Sequence, residues 1–147
     1  MSTIRVKKLK ENAILPTYGS AGAAGADLYA CLDEAVTILP GETVWIPTGI
    51  ALEVPAGCAG LVYARSSLGV KRGLAPANKV GVIDSDYRGE ISVVLHNHGK
   101  VEQTVAPGER IAQLVITPVL TPPFFVVKQW GAEIPSAAKY SSCPSFF

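Results

Sequence analysis

The chain has 147 residues, 48% of them hydrophobic, and its 13 basic side chains nearly balance its 12 acidic ones. This length and composition predict one domain with a real hydrophobic core. The balanced charge argues against a nucleic-acid backbone or an anionic membrane as the main partner, so any phosphate binding must be local.

The sequence pattern predicts neither a signal peptide nor a membrane span. Neither the basic residues 1–10 nor any later stretch has the apolar length of a signal peptide or a membrane span. The three cysteines, Cys31, Cys58 and Cys143, are an odd number and lie far apart, without the close pairs of zinc sites. Free thiols in a reducing compartment are therefore expected, and the sequence predicts a soluble cytoplasmic protein.

Short β-branched runs, separated by glycine and proline at close intervals, follow one another along the chain. Such spacing leaves little room for long helices and predicts an all-β barrel or sandwich. The clearest runs are residues 36–38, 43–46, 50–54, 80–83, 91–95 and 114–116.

Two local signals interrupt these strands. Residues 40–42 and 107–109 share the tripeptide Pro-Gly-Glu, which predicts matching turns and suggests related hairpins. Residues 66–71 form the one predicted helix, because a serine at its start can cap the first turn.

Two carboxylates and an aromatic ring, Asp84, Asp86 and Tyr87, lie on a predicted turn between the runs 80–83 and 91–95. If the chain stayed extended, the two aspartates would lie on one side, about 7 Å apart, and could hold a metal or activate a water. On local grounds alone, ordinary turn formation is the favoured interpretation.

Arg65, Ser66 and Ser67 offer a guanidinium fork, two hydroxyls and backbone amides, a combination suited to phosphate oxygens. A helix cap beside a surface arginine explains them equally well. The glycine-rich residues 19–27 could let the backbone approach a ligand, but they lack the lysine and spacing of a P-loop. Packing of small residues before a strand is an equal alternative.

His96 and His98 could present two imidazoles on one strand face, as some metal sites do. No third ligand lies nearby in sequence, so surface or interface histidines are the favoured interpretation. Nucleophilic catalysis has little support, because the chain has no Gly-x-Ser-x-Gly elbow and no cysteine close to a histidine.

Four motifs in order resemble the trimeric deoxyuridine triphosphatase (dUTPase) family, and together they are specific. The resemblance implies an all-β, jelly-roll-like subunit and a homotrimer whose active sites lie between subunits. It also implies hydrolysis of dUTP to dUMP and pyrophosphate. The motifs are residues 24–30 (AGADLYA), 64–69 (ARSSLG), Asn78 with 81–89 (GVIDSDYRG), and 108–114 (GERIAQL).

The resemblance also implies roles for the turn. Asp84 would orient and deprotonate the water that attacks the α-phosphorus in line. Tyr87 would lie against the deoxyribose and leave no space for a ribose 2′-hydroxyl, whereas Asp86 would remain a turn residue. A narrow hairpin would read the uracil edge and reject cytosine and thymine, through Asn78 and the backbone of Gly81, Val82, Ile83 and Ser92.

The phosphates would be held, by the same resemblance, by residues of a neighbouring subunit. Magnesium would be bound mainly by the substrate, with Asp27 acting indirectly through water. The residues implied for the phosphates are Arg65, Ser66, Ser67 and Gln113.

The chain departs from the family pattern after Trp130. Family members usually end in a glycine- and arginine-rich segment with a phenylalanine that closes over the nucleotide, and residues 131–147 contain no arginine and no glycine cluster. We therefore expect a dUTPase-like domain over residues 1–130 and an atypical tail over 131–147. A missing lid should weaken the chemical step more than uracil recognition. Phe146 and Phe147 could stack on the base, although an apolar or packed end is commoner.

Two alternatives remain at this point. A uracil-nucleotide-binding or regulatory protein with impaired hydrolysis would keep the pocket and lack the lid. A dCTP deaminase would share the architecture, but the turn around Asp84 matches the hydrolase pattern and no candidate glutamate occurs in the corresponding segments.

Overall fold

The computed structural model describes residues 3–136, which form twelve strands and one helix. Most strands are short, and glycine or proline lies close to the end of many of them. In chain order the elements are β1 (Arg5–Lys8), β2 (Thr17–Tyr18), β3 (Ala26–Tyr29), β4 (Val36–Ile38), β5 (Thr43–Pro47), β6 (Ile50–Glu53), β7 (Cys58–Tyr63), α1 (Ser66–Arg72), β8 (Leu74–Pro76), β9 (Gly81–Ile83), β10 (Ser92–Asn97), β11 (Gln103–Val105) and β12 (Arg110–Pro118).

All strand pairs are antiparallel and fall into four sheets. The largest sheet has the order β2-β3-β12-β7-β9, and a second has the order β5-β10-β8. The pairs β1-β6 and β11-β4 make two smaller sheets. Neighbouring strands are mostly distant in sequence, as expected of a jelly roll, and the predicted all-β fold is confirmed.

The core is built by alternation along the strands. In β10, Val93, Leu95 and Asn97 are buried, while the residues between them are half-buried. The same inward faces of the other sheets contribute fully buried side chains such as Leu28 and Ile46. This period of two allows each strand to bury one face and leave the other for function.

The predicted helix is present, but its predicted serine cap is wrong. The N-cap is Arg65, in an extended conformation with φ −91° and ψ 138°, and it makes no side-chain cap hydrogen bond. Ser66 is already helical, so its hydroxyl does not occupy the capping position. The helix ends at Gly73, whose φ of 66° is the left-handed conformation that favours glycine.

The two Pro-Gly-Glu turns have the same local structure. Gly41 and Gly108 have φ values of 80° and 74°. In each turn the glutamate carboxylate, of Glu42 or Glu109, accepts a hydrogen bond of 2.9 Å from the backbone N–H three residues earlier. Each turn nevertheless joins strands of different sheets, so the predicted hairpins are wrong. The tripeptide specifies the local turn, whereas contacts with distant strands determine which strands pair.

No helix within residues 3–136 is long and apolar enough to cross a membrane.

Asn97 supplies the first stability prediction. Its buried amide donates to the carbonyls of Ile38 and Val101, both at 2.9 Å, and its oxygen accepts from the N–H of Gly99 at 2.9 Å. Asn97→Ala leaves these buried groups unpaired, so we expect it to lower the free energy of unfolding by about 2–4 kcal/mol. Denaturant unfolding measures this loss, and Lys100→Ala, an exposed change in the same turn, should cost less than about 0.5 kcal/mol. Equal losses would contradict the assignment.

Candidate active site

The first part of the site is a cavity where β9 and β10 diverge. β9 is the edge strand of the five-stranded sheet, and β10 is the middle strand of the three-stranded sheet. They do not pair, so the narrow hairpin expected from the resemblance is wrong. The strands instead flank a cavity of about 490 Å³ lined by Asn78, Gly81–Ile83 and Ser92, among others. Since β9 is an edge strand, its outer backbone N–H and C=O groups remain available to hydrogen-bond a ligand in this cavity.

The turn that follows β9 is closed by its own hydrogen bonds. The N–H of Tyr87 donates to the carbonyl of Asp84 at 3.1 Å. The guanidinium of Arg88 donates to the carbonyls of Ser85 and Tyr87 at 2.7 and 2.9 Å. Because the chain turns here, the extended geometry that would align Asp84 with Asp86 does not occur. Asp84 is exposed and lines the cavity, whereas Asp86 does not line it.

The ring of Tyr87 forms one wall of the same cavity. Its hydroxyl donates to the carbonyl of Glu90 at 3.0 Å. A Cβ atom at Gly89 would lie 2.5 Å from that hydroxyl, so the ring packs where only glycine leaves room. The side chain of Glu90 in turn accepts from the N–H of Gly49 at 2.9 Å. The ring is therefore held in place by the turn and by a neighbouring loop.

The second part of the site is a cationic group around Asp27. The Arg65 Nε donates to Asp27 Oδ1 at 2.7 Å, and the Arg110 Nη1 lies 3.5 Å from Asp27 Oδ2. The side chains of Arg65 and Asp27 are only 19% and 14% exposed, so this pair is well shielded from solvent. Arg65 also donates to the Ser67 hydroxyl at 3.3 Å. A cavity of about 300 Å³ next to them is lined by Arg65, Ser67, Lys71 and Arg110, among others.

Gln113 joins this second group through strand pairing. It lies on β12, opposite Asp27 on β3 and Tyr63 on β7. Its side-chain amide donates to the carbonyl of Ala64 at 2.8 Å, directly before Arg65. The sheet therefore brings residues from three distant parts of the chain together.

Sequence reasoning missed Arg110 and Arg72. Arg110 lies inside a motif that pointed to the family, but no role was assigned to it. Arg72, at the end of α1, donates to Glu109 and, at 2.9 Å, to the side chain of Gln103. It therefore fixes the helix against the turn between β11 and β12. Only the basic character of the last helical turn signals such a role in the sequence.

The predicted site residues fall into two groups within one chain. The two cavities share no lining residue. The group at the first cavity contains Asn78, Gly81, Val82, Ile83, Asp84, Tyr87 and Ser92. The group around Asp27 contains Arg65, Ser66, Ser67 and Gln113. The prediction that a neighbouring subunit supplies the second group stays a prediction.

A metal cage is not among the features of residues 3–136, which contain no cluster of three or more His, Cys, Asp or Glu side chains able to hold an ion. The Asp27 carboxylate is engaged by two arginines. An ion bound there would therefore take most of its ligands from the phosphates of a substrate and from water.

Gly25 supplies a prediction about Gln113. A Cβ atom at Gly25 would lie 2.5 Å from Gln113 Oε1, so the glutamine must move. We expect Gly25→Ala to raise KM for dUTP, the substrate that the resemblance implies, about 5- to 10-fold, the equivalent of roughly 1–1.4 kcal/mol. Steady-state kinetics would measure it. Gly22→Ala is the matched control in the same loop, because a Cβ there meets nothing within 4 Å. Equal effects of the two changes would contradict a specific role for Gln113.

Comparison with known proteins gives a consistent result. The dUTPase family model matches residues 11–138. The deoxyuridine 5'-triphosphate nucleotidohydrolase of Syntrophotalea carbinolica is 51% identical over 117 residues, which cover 80% of this chain and 80% of the relative. The enzyme of the same name from Desulfitobacterium hafniense is 50% identical over 134 residues, covering 88% of this chain and 89% of the relative.

Comparison with solved structures also finds dUTPases. A mutant of the Staphylococcus bacteriophage 80alpha dUTPase with dUpNHpp has a TM-score of 0.82 and 27% identity, covering 91% of this chain and 93% of that one. A mutant dUTPase from phage phi11 of S. aureus, whose structure describes a structural Mg(II) ion, has a TM-score of 0.79 and 27% identity, covering 88% and 99%. With the family model matching most of the chain, this protein belongs to the dUTPase family.

Proposed function

We propose that this protein hydrolyses dUTP to dUMP and pyrophosphate. The observation that carries the proposal is the placement of Asp84 and Tyr87 at the cavity beside the free edge of β9. Relatives about half identical to this chain are named deoxyuridine 5'-triphosphate nucleotidohydrolases. No finding favours the alternative of a binding protein with impaired hydrolysis.

Uracil recognition would rest on backbone groups. Uracil presents alternating hydrogen-bond acceptors and a donor along one edge, as a β-strand does, and the outer edge of Gly81–Ile83 is complementary to such a pattern. Asn78 and Ser92 line the same cavity on either side. Tyr87, packed against Gly89, would lie against the deoxyribose. Because the ring packs closely against Gly89, with its hydroxyl also donating to the carbonyl of Glu90, it would not retreat from a 2′-hydroxyl.

Asp84 would act as the general base. Its carboxylate accepts a proton from water, the water oxygen bonds to the α-phosphorus, and the bond from that phosphorus to the bridging oxygen breaks. Pyrophosphate leaves with the electron pair, and dUMP retains the new oxygen. Three hydrogen bonds to backbone carbonyls fix the turn that carries Asp84, so its backbone keeps its place at the cavity without help from substrate.

Labelled water tests this route. In ¹⁸O-water we expect mass spectrometry to find one ¹⁸O atom in dUMP and none in pyrophosphate after a single turnover. Label in pyrophosphate would mean attack at the β-phosphorus and would overturn the assignment of Asp84 to the α-phosphorus.

Arg65, Ser66, Ser67 and Gln113 would bind the triphosphate, with Asp27 holding Arg65 in a fixed orientation. Magnesium, bound mainly by the substrate, would neutralise charge on the phosphate oxygens. Arg110, bridged to the same carboxylate, would add to the positive potential of this group.

A homotrimer with shared active sites would join the two groups. The surface supports association, because the segment after β12 exposes large apolar side chains that no described part of the chain covers. Leu120, Phe124, Val126 and Trp130 are each more than 90% exposed. Within one chain, the cavity beside β9, here called the base cavity, is separate from the cavity beside Arg65, here called the phosphate cavity.

Subunit mixing tests the shared site. Asp84→Asn and Arg65→Ala should each be inactive alone. After denaturation and refolding of an equal mixture, we expect about a quarter of the wild-type rate, because each site draws its two subunits at random. No recovery would mean that both residues act within one chain, while hydrolysis of dUTP by the wild type would stand unaffected.

The tail, residues 131–147, would give weak closure over the nucleotide, and residues 1–130 would form the catalytic domain. Residues 137–147, including Cys143, Phe146 and Phe147, lie outside the described residues. A chimera that carries a glycine-rich, arginine-containing tail should raise kcat more than it lowers KM. An unchanged rate would mean that the present tail already performs the closure.

A further inference from the structure

The two histidines of the chain lie together on the outer face of β10 and at its end. The ring centroids of His96 and His98 are 4.4 Å apart, with an angle of 65° between the ring planes. His96 is half-buried and His98 is exposed. Neither residue lines the base cavity or the phosphate cavity. The pair is therefore separate from the proposed hydrolytic machinery.

A hydrogen bond from the neighbouring strand orients one of the rings. His96 lies opposite Thr43 in the β10-β5 pair, and its Nδ1 is 2.8 Å from the Thr43 hydroxyl oxygen. When Nδ1–H donates to this oxygen, the lone pair of the ring is on Nε2. Metal-binding histidines use this arrangement, because a partner at the second nitrogen fixes the ring and its tautomer.

The second ring is open to solvent. His98 is exposed, whereas His96 is half-buried. An ion that approaches from solvent can therefore reach the edge where the two rings meet.

We propose that His96 and His98 form a two-imidazole chelating site for a divalent transition-metal ion. The 4.4 Å between ring centroids is compatible with two imidazole nitrogens on one ion, and water would complete the coordination, since no larger cluster of ligand side chains occurs within residues 3–136. Imidazole favours Cu²⁺, Ni²⁺ and Zn²⁺ and does not attract Mg²⁺, which prefers oxygen. The site is therefore distinct from the magnesium that would accompany the triphosphate.

Ni²⁺ is the probe for this site, because it binds imidazole and does not oxidise free thiols such as Cys58. With tag-free protein, calorimetry should find one Ni²⁺ per chain. Since the chain has only two histidines, NMR of the imidazole nitrogens reports on both rings without overlap. We expect both histidine signals to broaden together as the paramagnetic ion is added.

His96→Gln and His98→Gln should each weaken Ni²⁺ binding at least tenfold, and Thr43→Val should weaken it severalfold. Lys100→Gln, an exposed change close by, should leave affinity unchanged. All four variants should retain dUTP turnover, which also verifies their folding. Unchanged affinity in both histidine variants, an equal loss in the lysine control, or broadening of only one histidine signal would each overturn the proposal.

Discussion

Replacing Asp84 by asparagine is expected to lower kcat for dUTP by about 10²- to 10⁴-fold, the usual contribution of a positioned general base. Asparagine has nearly the same shape but cannot accept the proton from the attacking water. Asp84 is exposed, and the hydrogen bonds that close the turn go to backbone carbonyls and not to its carboxylate, so the turn should keep its structure. Stopped-flow measurement of pyrophosphate release, with calorimetry using a non-hydrolysable dUTP analogue, would separate turnover from binding.

Asp86→Asn is the matched control for this change. It removes a carboxylate from the same turn, but Asp86 does not line the base cavity. We expect its kcat to stay within about twofold of the wild type, since surface substitutions of this kind have small effects. A large loss in Asp86→Asn together with normal turnover in Asp84→Asn would exchange the roles of the two residues.

Replacing Tyr87 by alanine is expected to reduce the preference for dUTP over UTP at least tenfold, a change of about 1.4 kcal/mol in transition-state free energy. The ring is a wall of the base cavity, so its removal opens space where a ribose 2′-hydroxyl would otherwise clash. Comparison of kcat/KM for the two nucleotides measures the change directly.

Tyr87→Phe distinguishes the ring from its hydroxyl. The phenylalanine ring still packs over Gly89 but loses the hydrogen bond to the carbonyl of Glu90. We therefore expect most of the discrimination to remain. If the alanine variant still rejected UTP as strongly as the wild type, the ring would not be the element that excludes the 2′-hydroxyl.

Some of the strands could be predicted from sequence because their signals are local. Alternating β-branched runs bounded by glycine and proline located β4, β5, β6 and β10 to within about two residues. The helix α1 was also predicted at its observed position. Propensity and turn chemistry act over a few residues, which suffices for these elements. The strands β1, β2, β3, β7, β8 and β11 coincide with none of the clearest predicted runs.

Partner strands could not be predicted, because pairing depends on contacts between distant segments. Residues 80–83 and 91–95 are adjacent in sequence and suggest a hairpin, yet β9 pairs with β7 while β10 pairs with β5 and β8. The gap between them is the base cavity. The feature most useful for function therefore arises where the local expectation fails.

The cationic group around Asp27 shows a similar limit of prediction from sequence. Its residues were named from the resemblance, but sequence alone did not indicate that Asp27 would hold Arg65 and Arg110 at once. Three strands, β3, β12 and β7, must pair before these side chains meet. The serine cap of α1 was predicted wrongly for a related reason, since Arg65 takes the capping position while its guanidinium is held by Asp27.

Pyrophosphate release from dUTP, dCTP, dTTP and UTP, measured side by side with the purified protein, is the most direct test of the central claim. A cavity that reads uracil through the backbone of β9 and excludes the 2′-hydroxyl with Tyr87 predicts turnover of dUTP at least 100-fold more efficient than that of the other three, the equivalent of about 2.7 kcal/mol. Equal rates on all four nucleotides would contradict it.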